Sequence, residues 1–261
     1  MKRILIISMV LLSAVLSIGA EEINVVGTGA GMDILKEIAS DFMKSNPGVT
    51  VNVPASIGSG GGYRAVGKDQ ERIGRVARGI KESEKAYGLT YVEIAKIPVV
   101  FFVHPSVSVR DLTETQIADI YTGKYSNWRE LGGDDLPIVI VRRENGDSSL
   151  DVLIDKISGF KEANITKKAV TQYNNQENVQ YIEKTPGSIG FGTVADAIGY
   201  RVSVVLLNGV HPSNASYKYL GVLALIYKNQ NFSGGLKAFV DFAASPKARN
   251  AIVRTEGIPV K

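Results

Sequence analysis

Apolar residues along this chain alternate between a helical and a strand-like spacing. From Met32 to Met43 they fall three or four residues apart, which predicts an α-helix that "SNPG" at 45–48 ends. The apolar run "EINVVG" at 22–27 precedes this helix, and "VTVNVPAS" at 49–56 follows it with the alternation of a β-strand. The first part of the mature chain is therefore predicted as strand, helix, strand.

The same alternation continues toward residue 261. The long apolar segment "YVEIAKIPVVFFVH" at 91–104 predicts a strand buried on both faces. The other predicted strands are "RIGRVAR" (72–78), "PIVIVRR" (137–143), "GSIGFG" (187–192), "VSVVLLNG" (202–209) and "YLGVLALIYKN" (219–229). The predicted helices are "GGYRAVGKD" (61–69), "IKESEKAYG" (80–88), "TETQIADIYTG" (113–123, with Thr113 as N-cap), "SSLDVLIDKI" (148–157), "QENVQYIEK" (176–184), "GGLKAFVDFAAS" (234–245) and "PKARNAIVRTEG" (246–257). This alternation predicts an α/β architecture with mainly parallel sheets.

The first twenty residues differ from the rest of the chain. Lys2 and Arg3 precede an apolar run from Ile4 to Leu16, and small residues follow in "SIGAEE". This order is typical of a secretory signal peptide, here cleaved after Gly19 or Ala20. The apolar run is short for a membrane-spanning helix, although an uncleaved anchor helix is the alternative. We therefore predict a periplasmic protein.

Composition argues against several classes of function. Without Lys2 and Arg3 the formal net charge falls from +4 to +2, far below the dense basic surface of a nucleic-acid-binding protein. The chain contains no cysteine, so it has neither a thiol for lipid attachment nor a disulfide. No group of His, Asp and Glu residues has the sequence spacing of a metal site, and no cofactor is expected.

One glycine-rich segment is similar to the phosphate loop of nucleotide hydrolases. Gly62 is followed, after four residues, by Gly67 and Lys68, but Asp69 occupies the position where that motif requires Ser or Thr. An exported protein also lacks a maintained supply of ATP. The sequence therefore does not predict nucleotide hydrolysis.

Three predicted strand-to-helix junctions share small and hydroxyl-bearing residues. They are "GTGAGMD" (27–33), "ASIGSGGG" (55–62) and "RRENGDSSL" (142–150). Free N–H groups and the positive end of the helix dipole attract anions to such junctions, and ligands of open α/β sheets bind beyond the carboxyl ends of the strands. Three of them around one cleft would surround a small tetrahedral anion. Each junction alone is also compatible with a simple tight turn.

Arginine residues beside these junctions are candidates for anion contact. Arg143 ends an apolar strand, and its planar guanidinium can either bind an anion with two hydrogen bonds or pair with Glu144. Arg142 is expected to point to the opposite face of the same strand. Arg78, which ends the strand at 72–78, is a second candidate or a solvated surface charge.

Several segments are similar to those of one known family. They are "GSGGG" (58–62), "RIGRVARGIKESE" (72–84), "LTETQIADIYTGKYSNWRELGG" (112–133), "PIVIVRRENGDSS" (137–149), "TPGSIGFG" (185–192) and "FVDFAASPKARNAIVRTEGIPV" (239–260). In this order the chain resembles the periplasmic phosphate-binding proteins of ABC-type phosphate uptake systems. The resemblance implies a two-lobed type II solute-binding fold, each lobe a mainly parallel sheet flanked by helices. Lobe I would comprise 21–99 and 207–261, lobe II would comprise 100–206, and "PVVFFV" (98–103) and "VVLLNG" (204–209) would be the hinge crossings.

The resemblance also assigns ligand-binding residues to the junctions. By position they are Thr28, Gly29 and Ala30 in the first junction, Ser56, Gly58, Ser59 and Gly60 in the second, and Arg143, Asp147, Ser148 and Ser149 in the third, with Arg78 in addition. Two segments depart from the family pattern. The third loop usually reads Arg-Glu-x-Gly-Ser-Gly-Thr, so Asp147 replaces a hydroxyl, and Arg72 and Ala77 stand where the family carries an Asp and a Ser.

Asp147 has two possible roles. Phosphate near neutral pH still carries a proton and can donate a hydrogen bond to an ionised carboxylate, whereas sulfate, which is fully deprotonated, cannot. Asp147 would then select phosphate. Alternatively, Asp147 is the N-cap of the following helix and accepts backbone N–H groups without touching a ligand.

The resemblance implies a monomeric protein, not an enzyme, that captures inorganic phosphate between its lobes and delivers it to an ABC-type permease in the inner membrane. A different oxyanion (molybdate, tungstate or sulfate), a phosphorylated small molecule and a ligand-sensing role are alternatives. A hydrolase with Ser148 or Ser149 as nucleophile is less well supported, because only His104 and His211 could serve as imidazole base and each lies beside a proline.

Overall fold

The computed structural model of this protein describes residues 21–260, which form an α/β fold built on one continuous path of strands. The strands are β1 (Glu21–Gly27), β2 (Val49–Asn52), β3 (Ile73–Val76), β4 (Thr90–Val103), β5 (Asp111–Leu112), β6 (Val139–Arg143), β7 (Val170–Gln172), β8 (Ser188–Thr193), β9 (Ser203–Leu207), β10 (Leu220–Tyr227) and β11 (Ile258–Pro259). The α-helices are α1 (Met32–Ser45), α2 (Gly58–Gly67), α3 (Glu114–Thr122), α4 (Ser148–Lys156), α5 (Asn175–Lys184), α6 (Val194–Ala197), α7 (Gly234–Ala243) and α8 (Arg249–Arg254). The predicted signal peptide lies outside the described residues.

Strand β4 joins two sheets, because its two ends have different neighbours. The strand order is β2-β1-β3-β10-β4-β8-β6-β7. Residues 90–98 of β4 pair with β10, whereas residues 99–103 pair with β8. One hydrophobic core lies on the first sheet under α1, α7 and α8. A second core lies on the other sheet, around Phe101, Tyr121, Phe160 and Phe191, whose rings pack edge-on or tilted. We call these two halves the first and second lobes.

The sheets are mixed rather than uniformly parallel. Pairing is parallel within β2-β1-β3 and within β8-β6-β7, which is where the predicted strand–helix units lie. Pairing is antiparallel along β4 and β10. This follows from connectivity, because the chain leaves the first lobe along β4 and returns along β10 in the opposite direction.

The return crossing differs from the predicted one. The segment "VVLLNG", predicted as the second hinge crossing, lies mostly in β9, which pairs with residues 101–103 of β4 and with β5. Leu207, Tyr217 and Tyr219 are buried in the core of the second lobe, and the chain reaches the first sheet where Leu220 pairs with Pro98. We therefore place the return crossing at the start of β10. Both strands are apolar runs, so the hydrophobic pattern alone could not show which of them crosses between the lobes.

Local sequence signals agree with most of the helices and strands. Thr113 caps α3 by accepting a hydrogen bond from the Gln116 N–H, and Gln116 bonds back to the Thr113 N–H, as predicted for an N-cap. The predicted polar helix at 80–88 is a 3₁₀ helix at 82–87. The short elements β5, β7, β11 and α6 were not predicted. No helix within residues 21–260 is long and apolar enough to cross a bilayer.

Candidate functional site

The three strand-to-helix junctions meet at one cavity between the lobes. The cavity has a volume of about 280 Å³. Eight of the residues assigned from the sequence line it: Thr28, Gly29, Ser56, Gly58, Ser59, Arg143, Asp147 and Ser148. Six further lining residues were not predicted: Ile57, Glu144, Gly146, Tyr173, Asn174 and Asn175. Residues separated by more than a hundred positions in the chain thus surround a single small space.

Four assigned residues do not line this cavity. Ala30 and Ser149 are buried beneath it and face a separate narrow gap between the lobes. Gly60 follows one residue after the lining part of α2. Arg78 is engaged elsewhere: its guanidinium forms two hydrogen bonds of 2.7 Å with Glu84 and lies 4.8 Å from the centre of the Tyr63 ring. Arg78 is therefore neither a cavity residue nor a solvated charge, because an ion pair of its own lobe holds it.

The first junction brings the two lobes into contact. The Thr28 side chain is buried, and its hydroxyl accepts a hydrogen bond from the Ala30 N–H at 3.2 Å. The same hydroxyl lies 3.5 Å from the hydroxyl of Ser148, which belongs to the second lobe. A second contact between the lobes joins Lys81 and Asp151 at 3.5 Å. The structure therefore corresponds to lobes that are closed around the cavity.

Gly27 sets the path of the first junction. Its φ is 139°, and a Cβ atom there would overlap the carbonyl oxygen of Arg75 on the neighbouring strand. We expect Gly27→Ala to lower the free energy of unfolding by about 2–4 kcal/mol, since backbone strain and overlap add. Gly48→Ala is the matched control, because nothing lies within 4 Å of a Cβ at Gly48. Urea unfolding measures both, and equal losses would contradict this account.

The second junction presents the N-terminus of α2 to the cavity. The N-cap residue Ile57 offers no side-chain cap. The Gly58 N–H donates to the Ser56 hydroxyl at 3.2 Å, and the Ser59 hydroxyl accepts from the Ala77 N–H at 3.0 Å. The first N–H groups of a helix have no partner within the helix. The remaining first-turn N–H groups of α2 are thus available to an anion.

At the third junction Arg143 is buried and held by several partners. Its guanidinium makes hydrogen bonds of 2.9 and 3.0 Å with Glu144 and of 2.7 Å with the Asn175 side-chain oxygen. One guanidinium nitrogen also lies 3.3 Å from Asp147. The sequence left open whether Arg143 pairs with Glu144 or contacts an anion. In the structure Arg143 forms this salt bridge and also lines the cavity, so the salt bridge does not prevent contact with an anion. Arg142 bonds to Asn145 and to the Arg143 carbonyl, and it does not line the cavity.

Asp147 caps α4 with one oxygen and leaves the other for the site. Oδ1 accepts hydrogen bonds of 3.0 Å from the N–H groups of Ser149 and Leu150, so the predicted N-cap role is confirmed. Oδ2 is the oxygen that lies near Arg143. Burial raises the pKa of Asp147 to about 6, while the charge of Arg143 acts in the opposite direction. The carboxyl is thus mainly ionised at neutral pH, and Oδ2 can accept a hydrogen bond from a protonated ligand oxygen.

A buried network that the sequence did not reveal holds Arg143 in place. Asn175 bonds Arg143 through its oxygen and donates its amide protons to both oxygens of Asp196, at 2.9 Å each. Asp196 also accepts a 2.7 Å hydrogen bond from the Thr193 N–H, and burial raises its pKa. The available signal was a fourth junction, "NN" at 174–175, where Asn174 caps α5 after the short strand β7.

The arrangement favours an anion over a metal or a nucleophilic mechanism. Among residues 21–260, no three His, Cys, Asp or Glu side chains form a metal-binding cluster. His104 and His211 each bond a serine two residues later, at 2.8 Å, and neither is among the described residues that line the cavity. Ser148 therefore has no imidazole base beside it. The cavity instead combines hydroxyls, helix N-termini, the guanidinium of Arg143 and the carboxylates of Glu144 and Asp147.

Comparison with known proteins agrees with this geometry. The sequence model of the PBP superfamily domain matches residues 17–247. The chain belongs to the PBP superfamily. Among its relatives, the phosphate-binding protein PstS of Bacillus subtilis is 27% identical to this chain over 246 residues, which cover 91% of this chain and 80% of that protein. The phosphate-binding protein PstS of Borreliella burgdorferi is 23% identical over 248 residues, covering 90% of this chain and 88% of that protein.

Solved structures of related proteins share the fold of this protein. A Clostridium perfringens protein, described as a phosphate ABC transporter substrate-binding protein with bound phosphate, has a TM-score of 0.86 and 31% identity, covering 92% of this chain and all of that one. An ABC-type phosphate transport receptor from Vibrio cholerae has a TM-score of 0.72 and 21% identity, covering 91% of this chain and 100% of that one, and supports the fold alone. The two-lobed α/β fold predicted from the sequence is thus confirmed.

Proposed function

We propose that this protein binds one inorganic phosphate ion between its lobes and delivers it to an ABC-type transporter from the periplasm. The observation that carries the proposal is the convergence of three strand-to-helix junctions, together with Arg143, at one cavity between the lobes. Helix N-termini and a guanidinium are suited to phosphate. Relatives named phosphate-binding proteins, and a similar structure with bound phosphate, support the same ligand.

Selectivity for phosphate follows from the Asp147 carboxylate in the cavity. A protonated phosphate oxygen would donate to Asp147 Oδ2, which the N-cap hydrogen bonds leave free. Sulfate has no proton at neutral pH and cannot donate a hydrogen bond to that carboxylate. Its negative charge would instead lie directly against the negative charge of Asp147. The unpaired acceptor costs about 2 kcal/mol or more, which is enough for strong discrimination.

Isothermal titration calorimetry in phosphate-free buffer tests the proposal. We expect tight binding of one phosphate per chain and little heat from sulfate. Molybdate and tungstate are then added as competitors, because each is also a tetrahedral oxyanion. Preference for one of them over phosphate, or binding of no oxyanion at all, would contradict the proposed function.

Exposed apolar residues on both lips of the cleft support a transporter partner. Ile57 of the first lobe and Tyr173 of the second line the anion cavity, yet their side chains are 52% and 72% exposed. Ile198 of the second lobe is 58% exposed at the adjoining larger opening. A partner that contacts both lips would recognise the arrangement of the lobes around a bound anion.

We expect Ile198→Asp to reduce phosphate uptake at least fivefold in cells that depend on this protein, because a charge would oppose burial against the transporter. Phosphate affinity in calorimetry should stay unchanged, since Ile198 does not line the anion cavity. Val253→Asp is the control: Val253 is similarly exposed, at 56%, but lies on α8. Equal uptake by the two variants would argue against this surface.

A further inference from the structure

Arg75 is a fully buried arginine in the middle of β3, a strand whose four residues are all buried. Its Nε donates to the Thr28 carbonyl oxygen at 2.7 Å, and its Nη2 donates to the Pro54 carbonyl oxygen at 2.6 Å. Its Nη1 donates to the carbonyl oxygen of Val25. One guanidinium therefore ties the end of β1, the first junction and the segment before the second junction to one another.

The charge of Arg75 has no carboxylate partner among the described residues. None of the ion pairs within residues 21–260 includes Arg75, whereas the arginines closest to it in sequence are paired: Arg72 with Glu21, and Arg78 with Glu84. Burial lowers its pKa to about 10, so the guanidinium stays charged at neutral pH. A buried charge without a counter-ion is unfavourable unless another charge compensates it.

The charges around the cavity indicate what that compensation is. The Arg143 guanidinium contacts both carboxylate oxygens of Glu144 and lies beside Asp147. The Asn175 side chain links it to Asp196 by hydrogen bonds. The positive charge of Arg143 is therefore neutralised by its own neighbours. A phosphate ion in the cavity needs a further positive charge, and Arg75 lies directly behind Thr28, a lining residue.

We propose that Arg75 is a positioning and charge-compensating residue of the anion site. Through three backbone carbonyls it fixes the end of β1, the first junction and the segment before the second junction against one another. It also supplies, from beneath the first junction, positive charge that the neighbours of Arg143 do not already neutralise. This inference rests on the proposed function. It also extends it, because Arg75 raises affinity for an anion that it does not contact.

Four variants separate charge from hydrogen bonding. Arg75→Met removes both, Arg75→Gln keeps an amide donor without charge, and Arg75→Lys keeps the charge with a smaller donor group. Arg72→Met is the matched control, since it removes a cation from the same segment at the protein surface. Phosphate affinity is measured by calorimetry, and folding is checked by circular dichroism and urea unfolding in phosphate-free buffer.

We expect Arg75→Met and Arg75→Gln to bind phosphate at least tenfold more weakly than wild type, while Arg75→Lys stays within threefold and Arg72→Met is unchanged. If Arg75 had a purely structural role, the variants would lose stability, and Arg75→Lys would bind phosphate as weakly as the uncharged variants. If Arg75→Met does not fold, Arg75→Gln carries the comparison. Wild-type affinity in a folded uncharged variant, or equal loss in Arg75→Lys and Arg75→Gln, overturns the inference. Absence of phosphate binding by wild type would instead overturn the proposed function.

Discussion

Replacing Arg143 with methionine is expected to weaken phosphate binding by at least about a hundredfold, because hydrogen bonds to charged groups contribute about 1.5–3 kcal/mol each. Arg143 is the only arginine among the described residues that line the cavity. Its removal would also leave Glu144 and Asp147 without their nearby cation, so that both carboxylates repel the incoming anion. Calorimetry with phosphate measures the effect.

Arg142→Met is the control for this experiment. Arg142 is the preceding residue of β6, but its guanidinium bonds Asn145 and the Arg143 carbonyl instead of lining the cavity. We expect its phosphate affinity to stay within about threefold of wild type, because the Arg142 side chain does not line the cavity. Similar losses in both variants would mean that the strand, rather than the Arg143 side chain, determines binding.

The second large effect is expected on selectivity rather than affinity. In Asp147→Asn the side chain can still cap α4, since Asn is as good an N-cap as Asp, but it carries no charge. We expect the preference for phosphate over sulfate to fall from about thirtyfold or more to within about threefold, because the unpaired carboxylate no longer opposes sulfate. Competition titrations with both anions give this ratio.

The protonation of Asp147 gives this prediction a pH dependence. Because burial raises its pKa to about 6, the carboxyl takes up a proton as the pH falls through that value and becomes a hydrogen-bond donor. Sulfate should therefore compete better below about pH 6 in wild type, whereas Asp147→Asn should lack this change. Asp155→Asn, an exposed change on the same helix, is the control. A sulfate affinity that does not depend on pH in wild type would contradict the role of Asp147.

Much of the site could be predicted from the sequence because its parts are local. A glycine-rich strand-to-helix junction predicts its own backbone path and its own free N–H groups, whichever partners it meets. For this reason Thr28, Ser59 and Ser148 can be assigned to the junctions from the amino-acid sequence alone. The convergence of the junctions, in contrast, depends on the order of strands in the sheets, which local sequence does not determine.

The residues that escaped prediction depend on contacts distant in sequence. Asn175 follows a strand of three half-buried residues that shows no clear periodicity, and its partners Arg143 and Asp196 lie 32 and 21 residues away. Arg75, in the strand segment "RIGRVAR", is compatible with an exposed charge until Val25, Thr28 and Pro54 bring their carbonyl oxygens to it. The return crossing was misplaced for the same reason, because pairing partners rather than apolar content distinguish β9 from β10.

A crystal structure of the protein with phosphate, refined at high resolution, tests most directly whether three junctions on two lobes bind one anion. We predict a single phosphate ion in the cavity, within hydrogen-bond distance of Thr28, Arg143 and Asp147 and of the first-turn N–H groups of α2. A phosphate ion bound elsewhere, or one that contacts a single lobe while the cavity holds only solvent, would contradict this account.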